Sequence, residues 1–298
     1  MTAKSYRLAE ERGVIAVTGE DRRSFLQGLV SNDVNKVSAE RAVYAALLTP
    51  QGKYLHDFFI AEVGEALYLD CEAARREDLR RRLSIYKLRS KVSVTDATAD
   101  FSVAQSFGTE ALATLDLPPE PGHAVARAGG IVFTDPRLAE LGARAILPRE
   151  VAAEWLSAAA FTPAPDEHYD RLRLSLGIPD GSRDLPVEKA ILLENGFEEL
   201  HGVDWEKGCY MGQELTARTK YRGIVRKRLV PVEIEGPTPD WGTPILFDEK
   251  AAGEMRSGAD GIGLAVLRLE YLDQAASPGA FRAGESRLTP RKPDWAVF

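Results

Sequence analysis

Apolar positions along the first hundred residues come in short runs with two different rhythms. "GVIAVTG" (13–19) is β-branched and apolar, as in a strand. "EDRRSFLQGLV" then places Phe25, Leu26, Leu29 and Val30 on one helical face, with Asp21 as N-cap. "AVYAALL", "YLHDFFIAEV" and "ALYLDC" follow, separated by the turn formers "TPQGK" and "GE", which predicts a three-stranded antiparallel meander. "EAARREDLRRRLSIYKLRSKVSVTD" predicts a helix ending near Tyr86 and then a strand. Beyond Asp100, the strand-like "FSVAQSFG", the helix "TEALATL", the strands "IVFTD" and "ARAILP" and the helix "REVAAEWLSAA" make a second group. "DEHYDRLRLSLGIPDGSRDLP" predicts a helix stopped by Gly177 and Pro179. From Leu229 the texture changes to short apolar runs cut by Gly and Pro, as in a small β-barrel or sandwich, with an irregular tail after Ala275. Strands and helices do not alternate regularly, so the class is α+β.

The chain has 298 residues, 44% of them apolar, enough for two domains or three small ones. Its net charge of -7 argues against general binding to nucleic acid or anionic membranes, so any basic function must come from a local patch. Arg75 to Lys91 holds eight basic residues against Glu77 and Asp78. Arg218 to Arg228 holds six (Arg218, Lys220, Arg222, Arg226, Lys227, Arg228) and no acid. If both faced one cleft, its ligand would be anionic. No run reaches the roughly 18 apolar residues of a membrane helix. "MTAKSYRLAEERG" lacks the apolar core of a signal peptide and is too acidic for a transit peptide, which gives the expectation of a cytoplasmic protein.

Two cysteines exclude a disulfide framework. Cys71, Cys209, His56, His123, His168 and His201 stand in neither CxxC nor HxxxH spacing, so no self-contained metal site is expected. There is no Walker loop, HExxH or GxSxG. Cys209 is the cysteine with a chemical setting. In "KGCYMGQELTARTKYRG" (207–223) it lies between Gly208 and Gly212, just ahead of a helix-forming stretch in which Glu214 and Arg218 stand four apart. A helix N-terminus and Lys207 nearby would lower a thiol pKa. A small buried hydrophobe is the competing reading, and spacing alone leaves both open. Cys71 ends an apolar strand and reads as structural.

At "KGCYMGQE" the chain resembles the YgfZ/T-protein superfamily, related to the folate-dependent aminomethyltransferase of the glycine cleavage system. It is most similar to the branch that acts in maturation of iron-sulfur proteins, which includes mitochondrial members. "FLQGLVSNDV" (25–34), "LLTPQGKYLHDFFI" (47–60), "YDRLRLSLGIPDGSRDLP" (169–186) and "RGIVRKRLVPV" (222–232) fit this branch in order. The resemblance implies a ring-like arrangement of three modules: residues 1–98 with part of 165–225 as an α+β folate-binding-like module, 99–164 as a second α+β module, and 226–298 as a C-terminal β-barrel. It implies tetrahydrofolate as cofactor, and iron-sulfur assembly or client proteins as partners. Cys209 and Asp57 become the reactive residues, with Cys209 a candidate ligand to a cluster shared with a partner. Lys53, Asp57, Lys207, Tyr210, Gln213, Glu214, Arg218 and Arg222 become candidate folate contacts. Two departures stand out. His56 and Asp57 occupy the place of the aminomethyltransferase's Asp-Asp pair, and Ser175, Leu176 and Gly177 that of its Glu-Ala-Gly segment, whose Glu recognises the pterin. The leading expectation is an accessory factor for iron-sulfur protein maturation. The alternatives are a tetrahydrofolate-dependent aminomethyltransferase, and an RNA-contacting module using the 218–228 patch.

Overall fold

In a computed structural model that describes residues 3–223, 225–272 and 281–298, the strands of the first hundred residues fold as their periodicity predicts, but the first helix stops at Gln27, so Leu29 and Val30 lie beyond it and Val30 bridges Leu47. The chain divides into two units. The first comprises Met1–Leu48, Leu55–His168 and Leu200–Met211, and the second Thr49–Tyr54, Tyr169–Glu199 and Gly212–Phe298.

In the first unit, β1 (Ser5–Leu8), β2 (Arg12–Thr18), α1 (Arg22–Gln27), β3 (Val43–Leu48), β4 (Tyr54–Val63), β5 (Ala66–Glu72), α2 (Arg76–Tyr86) and β6 (Ser93–Asp96) come first. They are followed by β7 (Phe101–Phe107), α3 (Ala111–Thr114), β8 (Ala124–Arg127), β9 (Gly130–Thr134), β10 (Ala143–Pro148), α4 (Ala152–Ala158) and β11 (Thr162–Pro163). One sheet runs β3-β4-β5-β2-β6, so the expected meander is present and β2 adds to its edge. The other runs β11-β1-β7-β10-β9-β8. β1, which the apolar pattern did not announce, pairs Ser5 with Phe107 and so places the N-terminal residues in the sheet of the 99–164 group. Asp21 precedes α1, but its side chain does not cap the helix. Its carboxylate accepts the backbone N–H of Lys91 at 2.7 Å instead, tying the helix entry to the run-up to β6.

The two sheets meet over buried charge. Asp70 on β5 is fully buried and accepts from Arg12 (2.6 Å) and Arg144 (2.5 Å). Asp135 pairs with Arg137 at 2.9 Å, and the guanidinium of Arg144 lies 3.9 Å from the centre of the Phe59 ring. Each buried ion has a partner, the condition under which such a group is tolerated.

The second unit takes up α5 (Asp166–Ser175), α6 (Gly181–Asp184) and α7 (Gln213–Tyr221), then β12 (Lys227–Glu235), β13 (Pro244–Phe247), β14 (Lys250–Ala259), β15 (Ile262–Arg268), α8 (Leu269–Leu272), β16 (Phe281–Ala283) and β17 (Ser286–Pro290). The strands close into a barrel in the order β12-β15-β14-β13-β16-β17, filled by side chains such as Val230, Val232, Ile245, Met255, Phe281 and Leu288. This corrects the irregular tail expected after Ala275. Residues 281–290 are the two strands that finish the closure, and 276–280 lie outside the described residues. Strands of three and five residues, with Arg282 and Arg287 facing outward, are too short to register as a period. Without them, β12 and β13 would be open edges.

Candidate functional site

The last turn of α1 ends in carbonyl groups with no helical partner. The ammonium of Lys207 fills that need at Gln27 O (2.5 Å), where the helix dipole favours a cation, and donates as well to Val30 O (2.9 Å) just past the helix. Gln27 Nε2 returns a bond to Lys207 O (3.1 Å), and Met211 N–H donates to Gly28 O (3.1 Å). The loop Lys207–Met211 is therefore fastened at both ends to one helix terminus, and Cys209 stands exposed at its tip. Gly208 supports this shape with φ +90° in open space. The buried Tyr210 ring lies 4.8 Å from the Lys207 ammonium. Burial lowers the Lys207 pKa to about 8, against the raising influence of Asp33, Asp204 and Cys209. The cation is thus turned inward onto α1 yet still senses the sulfur two residues on.

Cys71 is the opposite case. It is 1% exposed, its thiol contacts Gly13 O, and burial pushes its pKa up to about 12.

A second locus in the same unit joins β3 to β4. Tyr44 Oη donates to Asp57 Oδ2 at 2.8 Å, with both groups buried. Burial, and then the Asp57 charge, hold the Tyr44 phenol well above its usual pKa. Tyr44 also lines a cavity of about 440 Å³ with Asn32, Val43, His201, Val203 and Trp205. Two ion pairs border it, Lys36–Asp204 at 2.5 Å and Arg41–Glu120 at 3.1 Å. His201 adopts φ +57°, a costly conformation for a residue with a side chain, and its carbonyl accepts from Asn32 at 2.6 Å. The wall 201–206 runs straight into Lys207, so cavity and cysteine loop are consecutive pieces of chain. His56 points away from Asp57, as neighbours on a strand must, and meets Asp78 of α2 at 3.0 Å. Burial, then the nearby Arg75, lower its pKa to about 4, so the imidazole beside Asp78 is neutral at physiological pH.

The remaining candidates belong to the second unit. Gly52, at φ +80°, has no room for a side chain because a Cβ would lie 2.5 Å from Leu215 and 2.6 Å from Gly212 O. The turn bearing Lys53 therefore sits against the start of α7, beside Gln213. Glu214 and Arg218 pair with each other at 3.3 Å on the exposed face of α7, and Arg222 follows its end, also exposed. Ser175 donates its hydroxyl to Leu172 O at 2.7 Å, so it turns back on its own helix. The structure gathers Lys207, Cys209 and Tyr210 at one point. It sets Asp57 behind Tyr44 elsewhere in the same unit, and leaves Lys53, Gln213, Glu214, Arg218 and Arg222 in the other unit. Tyr44 and Gln27 escaped the sequence reading. A tyrosine in the run "AVYAALL" was the available signal, since a buried phenol needs a partner.

Local acids match most of the Arg75–Lys91 patch and, of the 218–228 patch, Arg218, Lys220 and Arg228. Arg80 pairs with Glu77 (2.6 Å), and Arg81 and Arg82 with Asp78 (both 2.7 Å). Lys220 pairs with Glu198, and Arg228 with Glu199 at 2.9 Å. Among the described residues no three His, Cys, Asp or Glu side chains converge as a metal site, and no helix is long and apolar enough to cross a membrane.

Comparisons with known proteins add to this picture. Residues 9–117 match the family described as the GCVT N-terminal domain, and residues 226–298 that described as the CAF17 C-terminal beta-barrel domain. The chain is 34% identical to the mitochondrial iron-sulfur cluster assembly factor IBA57 homolog of Mycosarcoma maydis, over 91% of this chain and 76% of that protein. It is 32% identical to the mitochondrial iron-sulfur cluster assembly factor IBA57 of Homo sapiens, over 95% and 83%. Its fold is shared with glycine cleavage system aminomethyltransferase T from Bartonella henselae (TM-score 0.79, 15% identity, 99% and 87% covered). The cytoplasmic expectation is overturned, because the named relatives are mitochondrial. It had rested on the acid content of thirteen residues and the lack of an apolar run, properties that report composition and not compartment.

Proposed function

Because the chain belongs to the family of the iron-sulfur cluster assembly factor IBA57, we propose that it is an accessory factor in iron-sulfur cluster assembly, in which Cys209 supplies one thiolate to a cluster completed by a partner protein. YgfZ names a related but separate branch. The observation that carries the proposal is the double fastening of Lys207–Met211 to α1, which holds an exposed sulfur on a fixed mount. Clusters are ordinarily held by four thiolates, and of the two here Cys71 is sealed and stays protonated. The other ligands must then come from an assembly or client protein. Pre-fastening limits the ordering that a partner would otherwise impose on the loop.

Tetrahydrofolate enters the proposal as a ligand and not as a reactant. The cavity beside Tyr44 and Trp205 has the volume of a small-molecule site, and its aromatic and amide lining suits a flat polar heterocycle. Its cations are already matched by Asp204 and Glu120, so a polyglutamate tail finds no spare charge there. The residues do not fit one-carbon transfer. Asp57 is held by Tyr44 behind the cavity wall, and the Ser175 hydroxyl is spent on Leu172. RNA contact is the weakest reading, given the net charge and the pairing of Arg218, Lys220 and Arg228 with local acids.

The test is complementation of a strain deficient in maturing iron-sulfur enzymes. Cys209→Ser should abolish rescue while the purified variant keeps its fold, and Asp57→Asn should do less harm. The reverse ranking would favour the transferase.

A further inference from the structure

The segment entering the barrel carries charge that the cysteine loop does not use. Lys227 opens β12 and stands directly opposite Arg268, the last residue of β15. Like charges in that register destabilise a strand pair. Arg226 adds a third cation, held in place where its carbonyl accepts Leu269 N–H at 3.0 Å. All three line one concavity of about 630 Å³, together with Val225, Leu269 and Glu270. A hollow of about 120 Å³ shares Lys227 and Arg268 and adds Arg256, Glu254 and Val266.

The ion pairs do not balance this surface. Arg268 meets Glu270 at 3.4 Å, and Arg256 meets Glu254 at 3.2 Å. Among the described residues no carboxylate pairs with Arg226 or Lys227. Glu194 senses Lys227 at longer range, but burial disfavours its ionisation. Three exposed cations and the buried Arg256 thus stand against two carboxylates, and the surplus sits where two strands bring like charges face to face.

We propose that the start of β12 and the end of β15 form a docking groove for an acidic, extended segment of a partner protein. Arg226, Lys227 and Arg268 are exposed, with Lys227 and Arg268 on neighbouring strands, whereas Arg256 is buried against Trp241. Alternate carboxylates of an extended peptide recur roughly every 7 Å, so successive ones can each meet a cation of this cluster. Val225 and Leu269, both partly exposed, offer apolar contact to the intervening side chains, which a phosphodiester backbone does not match. The net charge of -7 also works against a long polyanion such as RNA. This surface is independent of Cys209 and of the cluster-assembly reading.

The test is fluorescence anisotropy of a labelled peptide of alternating Glu and Val titrated with the full chain. Saturable binding should weaken at least about tenfold in the Lys227→Gln, Arg268→Gln double variant and stay unchanged in Arg218→Gln, with inorganic phosphate and a single-stranded RNA failing to displace the peptide. Lys227→Gln alone should also melt no lower than the parent, because it relieves the opposed charges. Absence of binding, binding indifferent to the double variant, displacement by phosphate or RNA at comparable concentration, or a clearly lower melting temperature for Lys227→Gln would each overturn the proposal.

Discussion

β5 and the loop Lys207–Met211 each carry a cysteine, and they treat it in opposite ways. Cys71 lies in a strand paired through Gly13 to β2, one residue from the buried Asp70, with its thiol directed at a backbone carbonyl. Cys209 sits on a loop whose polar bonds are made by its neighbours, so the sulfur is left to solvent. The same side chain is inert packing in one place and an available ligand in the other. What separates them is how the surrounding backbone is satisfied. The strand satisfies itself through its ladder and encloses the thiol, whereas the loop satisfies itself through Lys207 and Met211 and presents it.

Perturbations that break this contrast should rank by how much buried charge they expose. Asp70→Asn strips the shared carboxylate from Arg12 and Arg144 beside Cys71 and should cost about 3–5 kcal/mol in denaturant unfolding. Acidification should come next. The His56 pKa of about 4 lies below its ordinary 6.5, so the unfolded chain takes up the proton first. That stability is whole above pH 6.5 and is lost as pH falls toward 4, at up to about 1.4 kcal/mol per pH unit. Asp78 acts in the same direction. Burial raises its pKa, but bonds from Arg82, Arg81 and His56 outweigh this and hold it well below the usual carboxylate range. A His56→Gln variant should therefore show a flatter stability profile between pH 6.5 and 4.

On the loop side the effects on stability shrink. Lys207→Met removes two charged hydrogen bonds, to the end of α1 and to Val30 beyond it, and should cost about 2 kcal/mol, with faster hydrogen exchange at Gly208 and Cys209. Cys209→Ser should change stability by less than about 0.5 kcal/mol, the range for an exposed position away from special contacts. A large loss there would mean that the thiol is packed like Cys71.

Much of the architecture could be read from the chain because β2 to β5, α2 and α5 are long enough to show a period. β1, β8, β16 and β17 could not, since strands of three to five residues carry too few alternations and depend on distant partners. At the site, Cys209 and its two glycines were legible as local chemistry. The destination of Lys207 was not, because its acceptors, Gln27 at the end of α1 and Val30 just beyond it, lie 180 and 177 residues earlier. Charge runs were legible as composition only. Arg80, Arg81 and Arg82 pair with Glu77 and Asp78 within a turn of helix, whereas Lys227 meets Arg268 through strand register, and no local pattern records which of these a cation will do.

Anaerobic absorption and circular dichroism spectroscopy of the purified chain mixed with a cluster-carrying partner tests the sulfur most directly. The visible charge-transfer bands of the partner's cluster should shift on mixing with wild type and with Cys71→Ser, and stay as in the partner alone with Cys209→Ser. An undiminished shift with Cys209→Ser would contradict ligation by this sulfur.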